Sequence, residues 1–183
     1  MRTIFLDLET TGLDPVRDEI LEIGILDDEG EILLDTLVHP QCLTAWPSAQ
    51  RVNGIDPSTV ADAPSLIELR SHISAVVAGA RVVIYNAPFD SGFLVRELAG
   101  AGEVACAMRA FAQVFGEWSH THGTWRRKKL AFAAHHVGYV WPGNAHRAIQ
   151  DCMATRAVWH WTNAQATPIQ TAPAAPRVQQ PER

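Results

Sequence analysis

The sequence predicts an α/β layer fold built on a mixed sheet. Three observations predict it. Three short, β-rich apolar runs occupy the first 38 residues. Two of them are joined by Asp27-Asp28-Glu29-Gly30, a hairpin signal, so the opening strands run antiparallel. From Pro64 onward apolar residues recur at helical spacing, interrupted by a further strand-like run.

Taken in order, Thr3 to Leu8 (TIFLDL) reads as a buried strand closed by Thr-Thr-Gly. Ile20 to Leu26 and Glu31 to Val38 supply the hairpin. Asn53-Gly54 and Asp56-Pro57 mark loops. After Pro64, Leu66, Leu69, Ile73, Val76 and Val77 share one helical face. Arg81 to Tyr85 is a fourth strand, and a helix follows from about Ala87 to Leu98 with Phe93, Leu94 and Leu98 inward. Met108 to Phe115 and Leu130 to Val137 read as helices, and His146 to Trp161 as the last, with Ile149, Cys152 and Trp159 on one side. Beyond about Thr167 the chain turns to Pro, Ala, Gln and Thr. This divides it into a domain over residues 1–165 and a disordered tail over 166–183.

The composition narrows the function classes. Hydrophobic residues make up 47% and charged residues 19%, enough for a globular core. A net charge of −5 argues against capture of nucleic acid over the whole surface, though not against a local basic patch. Three widely spaced cysteines form no CxxC, so a reducing, cytoplasmic setting is expected rather than a disulfide framework. No apolar run has the length of a signal or a membrane span.

The chemistry-bearing residues are acids at element ends. Asp7 and Glu9 stand two apart at the end of the first strand, where alternation puts both carboxylates on one face. Two bare carboxylates repel, and a divalent cation relieves the repulsion. Thr10-Thr11-Gly12-Leu13 follows, with a glycine that permits close backbone approach and a leucine where a loop is usually polar. Asp90, in Tyr85-Asn86-Ala87-Pro88-Phe89-Asp90, lies just past another strand in the first turns of a helix. A plain helix-start aspartate explains it equally well, with Asn86 as cap and Pro88 in the first turn. His146 and Asp151 are five apart, roughly 140° around an ideal helix, so both face one point only if His146 stands at the helix entrance. Histidine there suits a proton acceptor near neutral pH.

In this order, FLDLETTGLD at 5–14, YNAPFDSGFL at 85–94 and HRAIQD at 146–151 resemble the DEDD-type, DnaQ-like 3′→5′ exonuclease family, in its histidine-base subgroup. VNGIDPSTVADAPS at 52–65 is similar to the family's linker, with Asn53 where a histidine is usual. The resemblance spans about residues 3 to 160. It implies a ribonuclease-H-like fold, with three antiparallel strands and then parallel ones. It implies that Asp7, Glu9, Asp90 and Asp151 hold two Mg²⁺ or Mn²⁺ ions and that His146 is the general base. It further implies removal of nucleoside 5′-monophosphates from a nucleic-acid 3′ end. The motifs leave DNA and RNA both open; a compact domain with a short grip makes a single-stranded end, of DNA before RNA, the expected substrate.

Thr10, Thr11, Gly12, Leu13 and Asn86 are the expected contacts to the terminal nucleotide. Phe93 is a candidate stacking surface or a core residue. Arg126-Arg127-Lys128-Lys129, with Trp118 and Trp125 before it, is a candidate phosphate grip or a solvated loop. Other readings stand beside the DNA exonuclease: an RNA-trimming enzyme, a proofreading subunit tethered to a polymerase through the tail, and a non-catalytic binding module. The last would lack one of the acids, and all four are present.

Overall fold

The computed structural model describes residues 1–142 and 147–165. A five-stranded sheet organises them, in the order β3-β2-β1-β4-β5. β1 (Thr3–Thr10), β2 (Ile20–Asp27) and β3 (Ile32–Leu37) form the antiparallel part. β4 (Arg81–Ile84) pairs parallel to β1, and β5 (Glu103–Cys106) parallel to β4. The helices are α1 (Pro47–Asn53), α2 (Leu66–Val77), α3 (Ala87–Phe93), α4 (Ala107–Phe115), α5 (Leu130–His136) and α6 (Ala148–Gln165). A two-stranded hairpin, β6 (Trp118–Ser119) and β7 (Thr124–Trp125), lies between α4 and α5.

The alternation of β1 sorts the core into two layers. Ile4, Leu6 and Leu8 face one cluster with Ile73 and Val77 of α2. Phe5 faces the other, with Phe111 of α4, Ala133 of α5, and Ile149, Cys152 and Val158 of α6. Asp7 and Glu9, in step with Phe5, therefore emerge on the α6 side of the sheet. The start of α2 is fixed by a capping box in which Ser65 and Glu68 exchange hydrogen bonds. Among the described residues no helix is long and apolar enough to cross a membrane.

The structure departs from the sequence expectations at several elements. The helix expected to run to Leu98 stops at Phe93, and a separate 3₁₀ turn covers Glu97–Gly100. Leu94 and Leu98 are still buried, so the inward face persists across the break. β5, α1 and the β6–β7 hairpin were not legible. β5 has two exposed residues in four and only a three-residue apolar stretch that continues into the next helix, and α1 buries only Asn53 among its seven residues.

Candidate active site

Asp7 and Glu9 leave β1 on the face covered by α6, and Asp151 enters from the first turn of that helix. One carboxylate oxygen from each of the three lies within 4.8 Å of the others. Asp90, in the first turn of α3, is 3% exposed. Its carboxylate accepts hydrogen bonds from its own backbone amide and from that of Leu8, which sets it against β1 between Asp7 and Glu9. Sequence reasoning placed these four acids together, and the fold gathers them at one end of the sheet. His146 lies outside the described residues.

The electrostatics are those of an unneutralised acidic cluster. Burial, with Asp90, Asp151, Glu9 and Glu22 nearby, holds the Asp7 carboxyl well above the usual carboxylate range. Burial, and then Asp151, pushes Glu9 up to about 7, against a hydrogen bond from the Asn53 side chain. Burial also raises Asp90 to about 7, opposed by its backbone hydrogen bonds and supported by Glu9 and Asp151. Each proton is retained because another negative charge in a dry site is costly. Oxygen donors of this kind are the set that hard divalent cations take, so Asp7, Glu9 and Asp151 could hold such an ion.

Three residues outside the sequence motifs build the site. Glu22, directly across from Glu9 in the β1–β2 ladder, is fully buried. It accepts hydrogen bonds from the Arg147 guanidinium, at 2.8 Å from Nε, and from the Ala148 amide at 3.1 Å. This fixes the entrance of α6, three residues ahead of Asp151. Gly24, opposite Asp7, lies so close to α6 that a Cβ there would sit 2.6 Å from the Ile149 nitrogen. Asn53 donates to the Thr10 carbonyl at 3.4 Å and accepts from the Ile55 amide at 3.1 Å. The residue that departs from the usual linker histidine therefore contacts Glu9. Only its place in the linker segment gave any signal in the sequence.

Beside Glu9 lies an open, largely apolar cavity of about 370 Å³. Thr10, Thr11, Gly12 and Leu13 form one wall, and Val52 and Phe89 contribute to the others. Leu13 is 82% exposed. The Thr11 hydroxyl donates to Asp18 and accepts from the Glu19 amide, which ties the loop back on itself. Gly12 leaves room for the Asp18 carboxylate, which a Cβ would meet at 2.4 Å and push aside. Phe89, rather than Phe93, is the aromatic ring on this cavity. Phe93 packs edge-on against Phe89 and against the core. Asn86 occupies the position before α3 but makes no side-chain capping bond, and it is exposed.

The basic run is not a uniform patch. Arg126 and Lys128 both pair with Glu117, and the Lys128 ammonium stands 5.0 Å over the rings of Phe115 and Phe132. Trp118 and Trp125 pack edge-to-face on each other across the hairpin. Arg127 and Lys129 are exposed.

A family model described as an exonuclease (RNase_T) matches residues 4–159. The chain belongs to this exonuclease family. Its domain is of the DEDD, DnaQ-like type, and the mixed sheet flanked by helices is the ribonuclease-H-like arrangement expected of it. An uncharacterised exonuclease, CP81, of Escherichia phage 186 is 33% identical over 167 residues, covering 85% of this chain and 84% of that protein. DNA polymerase III subunit epsilon of Rickettsia felis is 33% identical over 103 residues, and the match spans only 44% of its length. Exonuclease X, solved with 5′-overhanging duplex DNA, superposes with a TM-score of 0.69 at 24% identity, over 93% of this chain and 95% of that one. The nuclease domain of 3′hExo, a DEDDh family member solved with rAMP, gives 0.66 at 17% identity, over 93% and 96%. At these identities the structural likeness is one of fold.

Proposed function

We propose that residues 1–165 form a 3′→5′ exonuclease that hydrolyses the last phosphodiester of a DNA strand to release nucleoside 5′-monophosphates. The carrying observation is the approach of Asp7, Glu9 and Asp151 to within 4.8 Å, with buried Asp90 beside them. Four carboxylates match the charge of two divalent cations, which is the stoichiometric support for a two-ion site. Bound there, such cations supply Lewis-acid charge that activates water and stabilises the leaving oxygen.

The chain's own groups do the rest. The cavity beside Glu9 receives the terminal nucleoside, with Leu13 and Phe89 as apolar contacts on the base. The backbone of Thr10 and Thr11 follows the sugar. His146 accepts the proton of the attacking water. It immediately precedes Arg147, whose guanidinium is anchored on Glu22. Histidine is neutral near pH 7 and so is available as a base.

The structure of exonuclease X with 5′-overhanging duplex DNA supports the choice of DNA. The rAMP bound to 3′hExo keeps an RNA-trimming reading in view. The polymerase-subunit relatives support a proofreading association, in which residues 166–183, outside the described residues, would act as tether.

Matched DNA and RNA oligonucleotides, labelled at the 5′ end and incubated with Mg²⁺, Mn²⁺ or EDTA, test the proposal. A descending ladder with metal, stronger on DNA, is expected. Asp7→Ala, Asp90→Ala and Asp151→Ala should abolish it, and His146→Ala should slow it by about 10²–10⁴-fold. An Asp7→Ala protein that degrades the strand as fast as wild type would refute the assignment.

A further inference from the structure

We propose that Arg109 and Arg127 form a binding subsite for a backbone phosphate of the nucleic-acid strand, upstream of the bond that is cut; this rests on the exonuclease reading above. Arg109 and Arg127 both line one cavity of about 240 Å³ between α4 and β7, together with Gln113, Thr124 and Trp125. Arg17, Arg70, Arg81, Arg126 and Arg147 each pair with a carboxylate. Among the described residues Arg109 and Arg127 pair with none, and neither do Arg2, Arg51, Arg96 and Arg156; what sets Arg109 and Arg127 apart is that the two line one cavity.

Both side chains are exposed, so their mutual repulsion is mild. Two cations share one recess. Arg109 also sits in the first turn of α4, where no acid offsets the positive end of the helix dipole. An anion between the groups relieves both repulsions. The forked guanidinium suits phosphate oxygens, and Gln113 and Thr124 add neutral donors.

The position along the sheet says which anion. Phe5, Val83 and Ala105 stand side by side on β1, β4 and β5. Asp7 and Glu9 lie just beyond Phe5. α4 begins directly after β5, so Arg109 emerges at the same end of the sheet, two strands away. At roughly 4.8 Å per strand this is about 10 Å across. The Tyr85 hydroxyl donates to the Lys128 carbonyl at 2.7 Å, which pins the 126–129 segment to that same end. A strand with its 3′ end in the cavity beside Glu9 passes this recess within its next few nucleotides.

The test is the salt dependence of binding to a labelled single-stranded oligonucleotide, measured by fluorescence anisotropy with Ca²⁺ replacing Mg²⁺. The Arg109→Gln/Arg127→Gln double variant should bind more weakly. Its slope of log K against log [salt] should shrink by roughly 0.7 to 1.4, the release expected for one or two phosphate contacts. Arg109→Lys/Arg127→Lys keeps both charges and should restore the slope. Arg2→Gln/Arg81→Gln removes two charges at the opposite end of the sheet and should leave it unchanged.

An unaltered slope in the Arg109/Arg127 variant, or an equal loss in the Arg2/Arg81 control, overturns the subsite. Calorimetric binding of inorganic phosphate to wild type without any slope change makes it a free-anion site and also overturns it. A wild-type protein that cleaves no strand defeats the exonuclease reading instead, so the two failures are distinguishable.

Discussion

Replacing Gly24 with alanine tests how the fold delivers Asp151 to its partners. The added methyl would lie 2.6 Å from the Ile149 nitrogen and 2.7 Å from the Ala148 carbonyl carbon. Both are backbone atoms at the start of α6, so no side chain can rotate away. Ordinary contact begins near 3.4 Å, so the helix start must retreat by about 0.8 Å or more, as overpacked cores do. Asp151 lies two residues past Ile149 and moves with it. The Cys152 thiol, which donates to the Gly24 carbonyl at 3.2 Å, loses its partner in the same motion. Overpacking of this kind costs about 1–3 kcal/mol. For a chain of this size that lowers Tm by about 2–4 °C per kcal/mol. A displacement near 1 Å in a reacting constellation costs on the order of 10²-fold in rate. The assay pairs thermal unfolding with kcat on a labelled oligonucleotide under saturating Mn²⁺, well below Tm. A Gly24→Ala protein with wild-type Tm and wild-type kcat would show that α6 does not rest on β2 at this point.

Further expectations follow from the same site. Glu9 and Asp90 have folded-state pKa values raised to about 7 above ordinary values of 4.5 and 3.8. The sign follows: their neutral forms favour the fold below about pH 4, and that stability is lost as pH rises through 7. Ionising Glu9 in the fold costs about 3 kcal/mol. The metal-free protein should therefore melt at lower temperature at pH 8 than at pH 5, and Mn²⁺ should reverse the loss; a Tm that rises with pH in EDTA would contradict it. Glu22→Ala leaves the Arg147 guanidinium and the Ala148 amide without their acceptor. About 1–3 kcal/mol of stability should go with it, mainly for the buried Ala148 amide left unpaired, since the Arg147 side chain is half exposed and can be solvated; it is read by urea unfolding, and unchanged or increased stability would contradict it. Deleting residues 167–183 should leave cleavage of free oligonucleotides at the wild-type rate. A tenfold drop would make the tail part of the catalytic unit rather than a tether or a tolerated end.

Much of the architecture was legible because it is written in short-range pattern. β1, β2, β3 and β4 appear within two residues of their expected bounds, since each is an apolar run ended by turn residues. α6 and α2 follow their helical stripes. The break between Phe93 and Glu97 was not legible, because Leu94 and Leu98 keep their inward spacing through it. β5 was missed because it is only four residues long and its short apolar stretch runs straight into the helix that follows, so no turn separates it.

For the site, the sequence by itself singled out the candidate acids: Asp7 and Glu9 by their spacing on a strand, Asp90 and Asp151 through the resemblance that their order in the chain carries. Only the tertiary structure decided what holds them together. Glu22 reaches across 125 residues to Arg147, Gly24 lets two backbones touch, and Asn53 meets Glu9 from the end of α1. It likewise replaced Phe93 with Phe89 at the cavity and divided the basic run into paired and unpaired cations. The physical reason is common to all of these. A spacing of two or four residues fixes direction along one element, whereas a contact between elements depends on packing distances that no local pattern records.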